Sequence, residues 1–144
     1  MSAGSYRMRF AAATVLLACL SGCGGDEART KQIVETKITL RTVCLLVWLA
    51  EEESSQEPPT TLSKLVIWIQ ENAANNEDRI DYDRQTIEDS WGRAIVLITD
   101  NGRLTSLGSA GPNGLWEGGG GDDVVLGLAE VRRQSSAASG PAGE

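Results

Sequence analysis

Histidine is absent from all 144 residues, which removes imidazole acid–base chemistry and most zinc and copper sites. Cysteine is scarce. Cys19 and Cys23 lie in an N-terminal segment with the pattern of a secretory signal, so Cys44 stands alone in the body and no internal disulfide framework is possible. Excess positive charge is also lacking: the formal charge is -7 and no basic stripe occurs, which argues against nucleic acid as a partner. The uncharged apolar run at residues 10–20 is too short to span a bilayer as a mature helix. Neither a Gly-x-Ser-x-Gly elbow nor a phosphate-binding loop is present, and Cys44 has no histidine to pair with, so an enzyme is the least favoured class. Asp122 and Asp123 come nearest to a catalytic carboxylate pair, but neighbours on an extended segment are expected to face opposite ways. The length leaves room for one modest domain.

Arg7 and Arg9 precede the apolar run, which ends in Leu20-Ser21-Gly22-Cys23. This resembles the bacterial lipobox, in which a small residue precedes a cysteine that is diacylglycerol-modified and becomes the mature N-terminus. The resemblance implies a lipoprotein signal peptide at residues 1–22, a lipidated leader at 23–27 and an acyl anchor of the palmitate type on Cys23. Removing Arg7 and Arg9 takes two positive charges from the -7 total and leaves -9 on the body. Anionic headgroups repel such a body, so membrane attachment must come from the acyl chains. The implied location is the bacterial envelope, facing the periplasm or the outside, with the choice of membrane open.

Past Gly24 and Gly25, helical patterning starts near Ala28, and Ile33, Val34, Ile38, Arg41, Leu45 and Trp48 recur every three to five residues. Five or six turns are expected, polar in the first half and buried over residues 43–50, where Cys44 reads as a small core residue. Glu51, Glu52 and Glu53 read as a solvated exit. Pro58-Pro59 stops the helix, and Thr60 or Thr61 can cap a second one carrying Leu62, Leu65, Val66, Ile69 and Ala73 on one face. Ile67 and Trp68 fall on its other face, with core packing expected. Residues 72–88 read as a polar, acidic loop. Residues 94–99 and 103–107 read as strands joined by the Asp100-Asn101-Gly102 turn, and residues 124–131 as a last strand or extended segment. The composition of residues 133–144 is that of a disordered tail, which bounds a head domain at 28–132.

Between the last two strands lies a glycine-dense loop too local to be a linker, bracketed by the oxygen-bearing side chains of Asn113, Glu117, Asp122 and Asp123. Ordering such a loop costs conformational entropy, and a hard cation held by side-chain and carbonyl oxygens offsets it. Calcium is the first ligand to consider.

Several motifs occur in one order: Pro59-Thr60-Thr61-Leu62-Ser63-Lys64-Leu65, Asp89-Ser90-Trp91-Gly92, Ser106-Leu107-Gly108, Pro112-Asn113-Gly114 and Asp122-Asp123. Over roughly residues 28–130 this resembles the major pseudopilin of bacterial type II secretion systems. The resemblance implies an α+β fold: a long N-terminal helix and a short second helix packed on a small antiparallel sheet, with a calcium ion in the glycine-rich C-terminal loop. Its implied ligands are the side chains of Asn113, Asp122 and Asp123 with the carbonyls of Ala110 and Leu115. Asn113 stands where the family usually has an aspartate, and an uncharged oxygen implies weaker binding. The departure at the N-terminus is larger. Cys23 is followed by Gly-Gly-Asp-Glu instead of a prepilin-peptidase site and an apolar filament stem. A lipid in place of the stem implies a non-enzymatic envelope protein that docks on a secretion or pilus-type assembly through its head. The alternative is a free-standing lipoprotein module that binds a small ligand or glycan at Leu115-Trp116 or Trp68.

Overall fold

A computed structural model describes residues 25–73 and 78–138. The expected signal peptide at 1–22, the expected lipidation site Cys23, Asn75-Asn76 and the residues beyond 138 lie outside the described residues. Contacts divide the chain into two units, residues 1–31 and 32–144. The described part of the first is solvent-exposed helix, in which Thr30 Oγ1 donates to the Asp26 carbonyl at 2.8 Å. The core belongs to the second.

Helix α1 is Gly25–Ser54, thirty residues or about eight turns, longer at both ends than periodicity predicts. Asp26 and Glu27 in its first turn favour the early start by complementing the helix dipole. At the far end Glu51 stays helical and half-buried because Arg132 Nη2 donates to its Oε2. The three glutamates are thus the last turn of α1, and only Glu52 and Glu53 are exposed. Ser54 Oγ then folds back on the Ala50 carbonyl at 2.6 Å and accepts the Gln56 N–H at 3.2 Å, and the chain leaves the helix. The buried face runs through Thr36, Leu40, Val43, Cys44, Val47 and Ala50, spaced by about one turn; most of residues 43–50 is buried as expected, but Val34 and Ile38, which the sequence spacing picks out, are exposed because they lie off this face.

Helix α2 spans Leu62–Asn72 and buries Leu65, Val66, Trp68 and Ile69. Trp68 joins the core, whereas Ile67 is 37 % exposed. Thr61 is the N-cap residue, but it makes no side-chain cap; its carbonyl accepts the Leu65 N–H at 2.9 Å. The expected 72–88 loop contains a small hairpin, strands β1 (Ile80–Asp81) and β2 (Thr86–Ile87). Ile80 pairs with Ile87 and both are buried, so two isoleucines pin a segment that its charges mark as solvated. Its Arg84 ion pairs, to Asp81 at 3.5 Å and Glu88 at 3.8 Å, are exposed and contribute little.

The main sheet is a three-stranded antiparallel meander of β3 (Val96–Asp100), β4 (Arg103–Ser109) and β5 (Val124–Gly127). Asn101 and Gly102, with φ of 50° and 78°, form the tight β3–β4 turn that the sequence signals. Register places Leu97, Leu107 and Leu126 in one row across the sheet, facing the core, and Val96, Gly108 and Val125 in the neighbouring row on the opposite face. The sequence expectation fails after Gly127. Residues 128–138 form helix α3 (Leu128–Ala138) instead of more strand and tail, because Leu128 and Val131 share a helical face and bury into the core. The fold is therefore α+β, with a long helix, short helices and small antiparallel sheets.

Candidate metal centre

The glycine-rich segment leaves β4 at Ser109 and returns at Val124, so its shape depends on what fixes those ends. Asp89 does most of this. Its buried carboxylate accepts the Trp91 and Arg93 amides on Oδ1, at 2.9 and 3.0 Å, and Ser109 Oγ–H on Oδ2 at 2.6 Å. Ser109 Oγ in turn accepts the Gly111 amide at 3.1 Å, and Arg93 Nη1 donates to the Gly111 carbonyl at 2.5 Å. The next residue, Ser90, ties the same turn to α1: its Oγ pairs with Thr36 Oγ1 at 2.7 Å and donates to the Gln32 carbonyl at 2.6 Å. The Asp89-Ser90-Trp91-Gly92 motif is thus a junction between helix, sheet and loop.

Beyond Gly111 the loop folds back on itself and gathers Glu117, Asp122 and Asp123, whose carboxylate oxygens lie within 4.8 Å of one another. The expectation that Asp122 and Asp123 face apart is overturned, because residues 121–122 form a turn and not an extended segment. Asp123 Oδ2 accepts the Glu117 amide at 2.8 Å and the Gly119 amide at 2.9 Å. Its other oxygen, Oδ1, is sealed from solvent and has no hydrogen-bond partner. Asp122 Oδ2 accepts the Asn113 amide at 3.1 Å. Gly121 is required here: its φ is +58°, and a Cβ would sit 1.9 Å from Glu117 Oε2. The four-glycine run lets Glu117 double back onto the acid pair.

The ligand residues expected from sequence are only partly assembled. Asn113 borders the cluster, its Nδ2 donating to Glu117 Oε2 at 3.3 Å while its Oδ1 accepts the Leu115 amide at 2.7 Å. That side-chain oxygen closes a local turn. Ala110 is half-buried just past β4, and Leu115 is 67 % exposed. The member missing from the expected ligand set is Glu117, and the four glycines separating it from the acids were the available signal.

Three carboxylates this close repel one another, by about 1 kcal/mol per pair at 4 Å even in a fully aqueous dielectric. The set is entirely oxygen, and one buried oxygen lacks a donor, which fits a hard cation better than a soft one. Beside it Trp116 folds back onto the sheet, where Gly108 leaves room for the ring: a Cβ there would lie 2.7 Å from its edge. Cys44 takes no part, and burial pushes its thiol up to about 12. It is an inert core residue at neutral pH.

Comparison of the chain with protein-family models, with curated proteins and with solved structures finds no match.

Because the folded Cys44 thiol titrates near 12 against an ordinary value of 9.0, its contribution to stability is full below pH 9 and is lost as pH rises towards 12. Denaturant unfolding of wild type and Cys44→Ala checks this: the wild type should lose more stability than the variant across that interval. A thiol reagent at pH 8 should modify Cys44 only as fast as the protein opens.

Proposed function

We propose that the chain is a non-enzymatic, lipid-anchored envelope protein with a pseudopilin-like head, which docks on a type II secretion or pilus-type assembly. A calcium ion orders its C-terminal loop. The observation that carries the reading is the convergence of Glu117, Asp122 and Asp123 on a loop hung from the Asp-Ser-Trp-Gly junction. Calcium takes 6–8 oxygen ligands, and these three carboxylates would hold it, with Asp123 supplying its spare buried oxygen. Bound calcium would neutralise the repulsion within the trio and fix the two arms of the loop. Glu117 restores the charge that Asn113 lacks, so the weak affinity implied by asparagine is offset.

The order of motifs supports the pseudopilin-like head, and the Ser-Gly-Cys23 segment supports the lipid. The acidic body leaves acyl chains as the means of attachment to a membrane. In the alternative, a free-standing module for a small ligand or glycan, Leu115 and Trp116 carry the contact, being 67 % and 38 % exposed. Trp68 drops out of that alternative because it is buried.

Thermal melting of the protein in calcium and in chelator tests the central part. Calcium should raise stability by about 2.7 kcal/mol at a hundredfold excess over Kd, and Asp123→Asn should abolish most of the gain. Identical melting in calcium and chelator would remove the ion. Membrane fractionation tests the anchor: Cys23→Ser should move the protein from the membrane to the soluble fraction, and unchanged membrane association would contradict lipidation.

A further inference from the structure

Two Asn-Gly pairs occur in the chain, Asn101-Gly102 at the tip of the β3–β4 hairpin and Asn113-Gly114 in the loop that carries the acid cluster. The amide nitrogen of the glycine in such a pair is a nucleophile towards the side-chain carbonyl carbon of the asparagine, and glycine has no side chain to obstruct it. What decides the reaction is how firmly the two groups are held. At Asn113 both are restrained. Its Oδ1 accepts the Leu115 amide at 2.7 Å, and its Nδ2 donates to Glu117 Oε2 at 3.3 Å. The nucleophile, the Gly114 amide, donates to the Gly111 carbonyl at 3.3 Å. Gly114 is also hemmed in, since a Cβ there would lie 2.7 Å from the guanidinium carbon of Arg93. Ring closure at this pair has to break these hydrogen bonds and turn the peptide against Arg93.

At Asn101 these restraints are missing. Asn101 and Gly102 are both exposed, and nothing lies within 4 Å of the place a Gly102 Cβ would take. Among the described residues, neither the Asn101 side chain nor the Gly102 amide has a hydrogen-bond partner. The attack requires Asn101 to leave its left-handed conformation, with φ of 50°. Only the two-residue turn opposes that movement, and a hairpin tip opens more readily than the core.

We propose that Asn101 is a site of spontaneous covalent modification, converted to aspartate and isoaspartate while Asn113 is spared. The Gly102 nitrogen gives its proton to solvent base and bonds to Asn101 Cγ. The Cγ–Nδ2 bond breaks, and ammonia leaves with a proton taken from water. One water molecule then opens the resulting succinimide at either of its two carbonyls, so the net change is water in and ammonia out, with no oxidant or reductant. Opening at the backbone-side carbonyl routes the chain through the side chain as isoaspartate, and opening at the other gives ordinary aspartate. The aspartyl product keeps the turn, because aspartate tolerates the left-handed region, and it sets a second carboxylate beside Asp100. The isoaspartyl product lengthens the backbone of a two-residue turn by a methylene. It therefore disturbs the adjoining Asp100–Arg103 and Thr99–Leu104 pairs, the second of which carries a core residue. The site lies on different elements from the acid cluster and does not depend on the calcium reading.

The test is incubation of the full-length protein in chelator at mildly alkaline pH, which favours loss of the Gly102 amide proton, followed by tryptic digestion and mass analysis. Asn101 falls in peptide 94–103 and Asn113 in peptide 104–132, so the mass gain of amide-to-acid conversion is read separately for each. Peptide 94–103 should convert at least about tenfold faster than 104–132, a ratio that the loss of one hydrogen bond at Asn113 is enough to produce. A protein isoaspartate methyltransferase should label peptide 94–103 of the incubated protein. In urea the restraints on Asn113 vanish, and the two peptides should convert at similar rates. Asn101→Gly keeps a residue suited to the turn and removes the reacting amide, so after equal incubation it should hold its melting temperature while that of the wild type falls. Equal or faster conversion of 104–132 in the folded protein would overturn the proposal. So would an unchanged peptide 94–103 over the period in which the urea-unfolded protein converts.

Discussion

Asp89 is 6 % exposed, and its carboxylate accepts hydrogen bonds from two backbone amides and the Ser109 hydroxyl. A buried carboxylate is tolerated only when its oxygens are satisfied, so these donors are held in place as firmly as the group itself. They belong to the turn after β2 and to the last residue of β4, and through Ser109 the constraint passes to the Gly111 amide. Ser90, one residue along, carries the same turn to Thr36 on α1, a residue with no exposed surface. A single four-residue motif thus sets helix, sheet and loop entrance in one frame, and the acid cluster is built on that frame.

Apart from Trp116, which lies against the sheet at Gly108, the loop buries little apolar surface with which to fold. Its order comes from backbone amides turned onto carboxylates: Glu117 and Gly119 onto Asp123, and Asn113 onto Asp122. This arrangement concentrates negative charge, and the close approach of Glu117 is possible only because residue 121 is glycine. Glycine therefore acts in two opposed ways here. It raises the entropic cost of ordering the loop, and it permits the geometry in which a cation can offset that cost.

Much of this fold was legible in the sequence where periodicity carried the information. The existence of α1, the apolar spacing of α2 and the Asp100-Asn101-Gly102 turn are local signals and appear where expected, whereas the buried face of α1 is not the one its spacing picks out, since Val34 and Ile38 are exposed. The misses were set by tertiary contacts. Nothing local marks Ile80 and Ile87 as a buried pair, and residues 128–138 are helical because Leu128 and Val131 reach the core while Arg132 reaches Glu51. In the candidate site, Asp122 and Asp123 were visible as residues but not as a convergent pair, since that depends on a turn at 121–122 rather than on a strand. Glu117 was visible among the bracketing oxygens, yet its membership of the cluster required knowing that four glycines reverse the chain. Asp89 was visible as part of a motif, and its role as a buried acceptor for Ser109, twenty residues away, was not.

If Asp89 is the frame on which the loop is built, weakening its acceptors should loosen the loop before it loosens the core. Amide hydrogen exchange of Asp89→Asn against wild type measures this directly, at the Glu117 and Gly119 amides that donate to Asp123 and at the Leu107 amide in the central strand. The loop amides should lose protection while Leu107 keeps most of its own. Wild-type protection at Glu117 and Gly119 in the variant would contradict it, and the acid cluster would then hold its shape without Asp89.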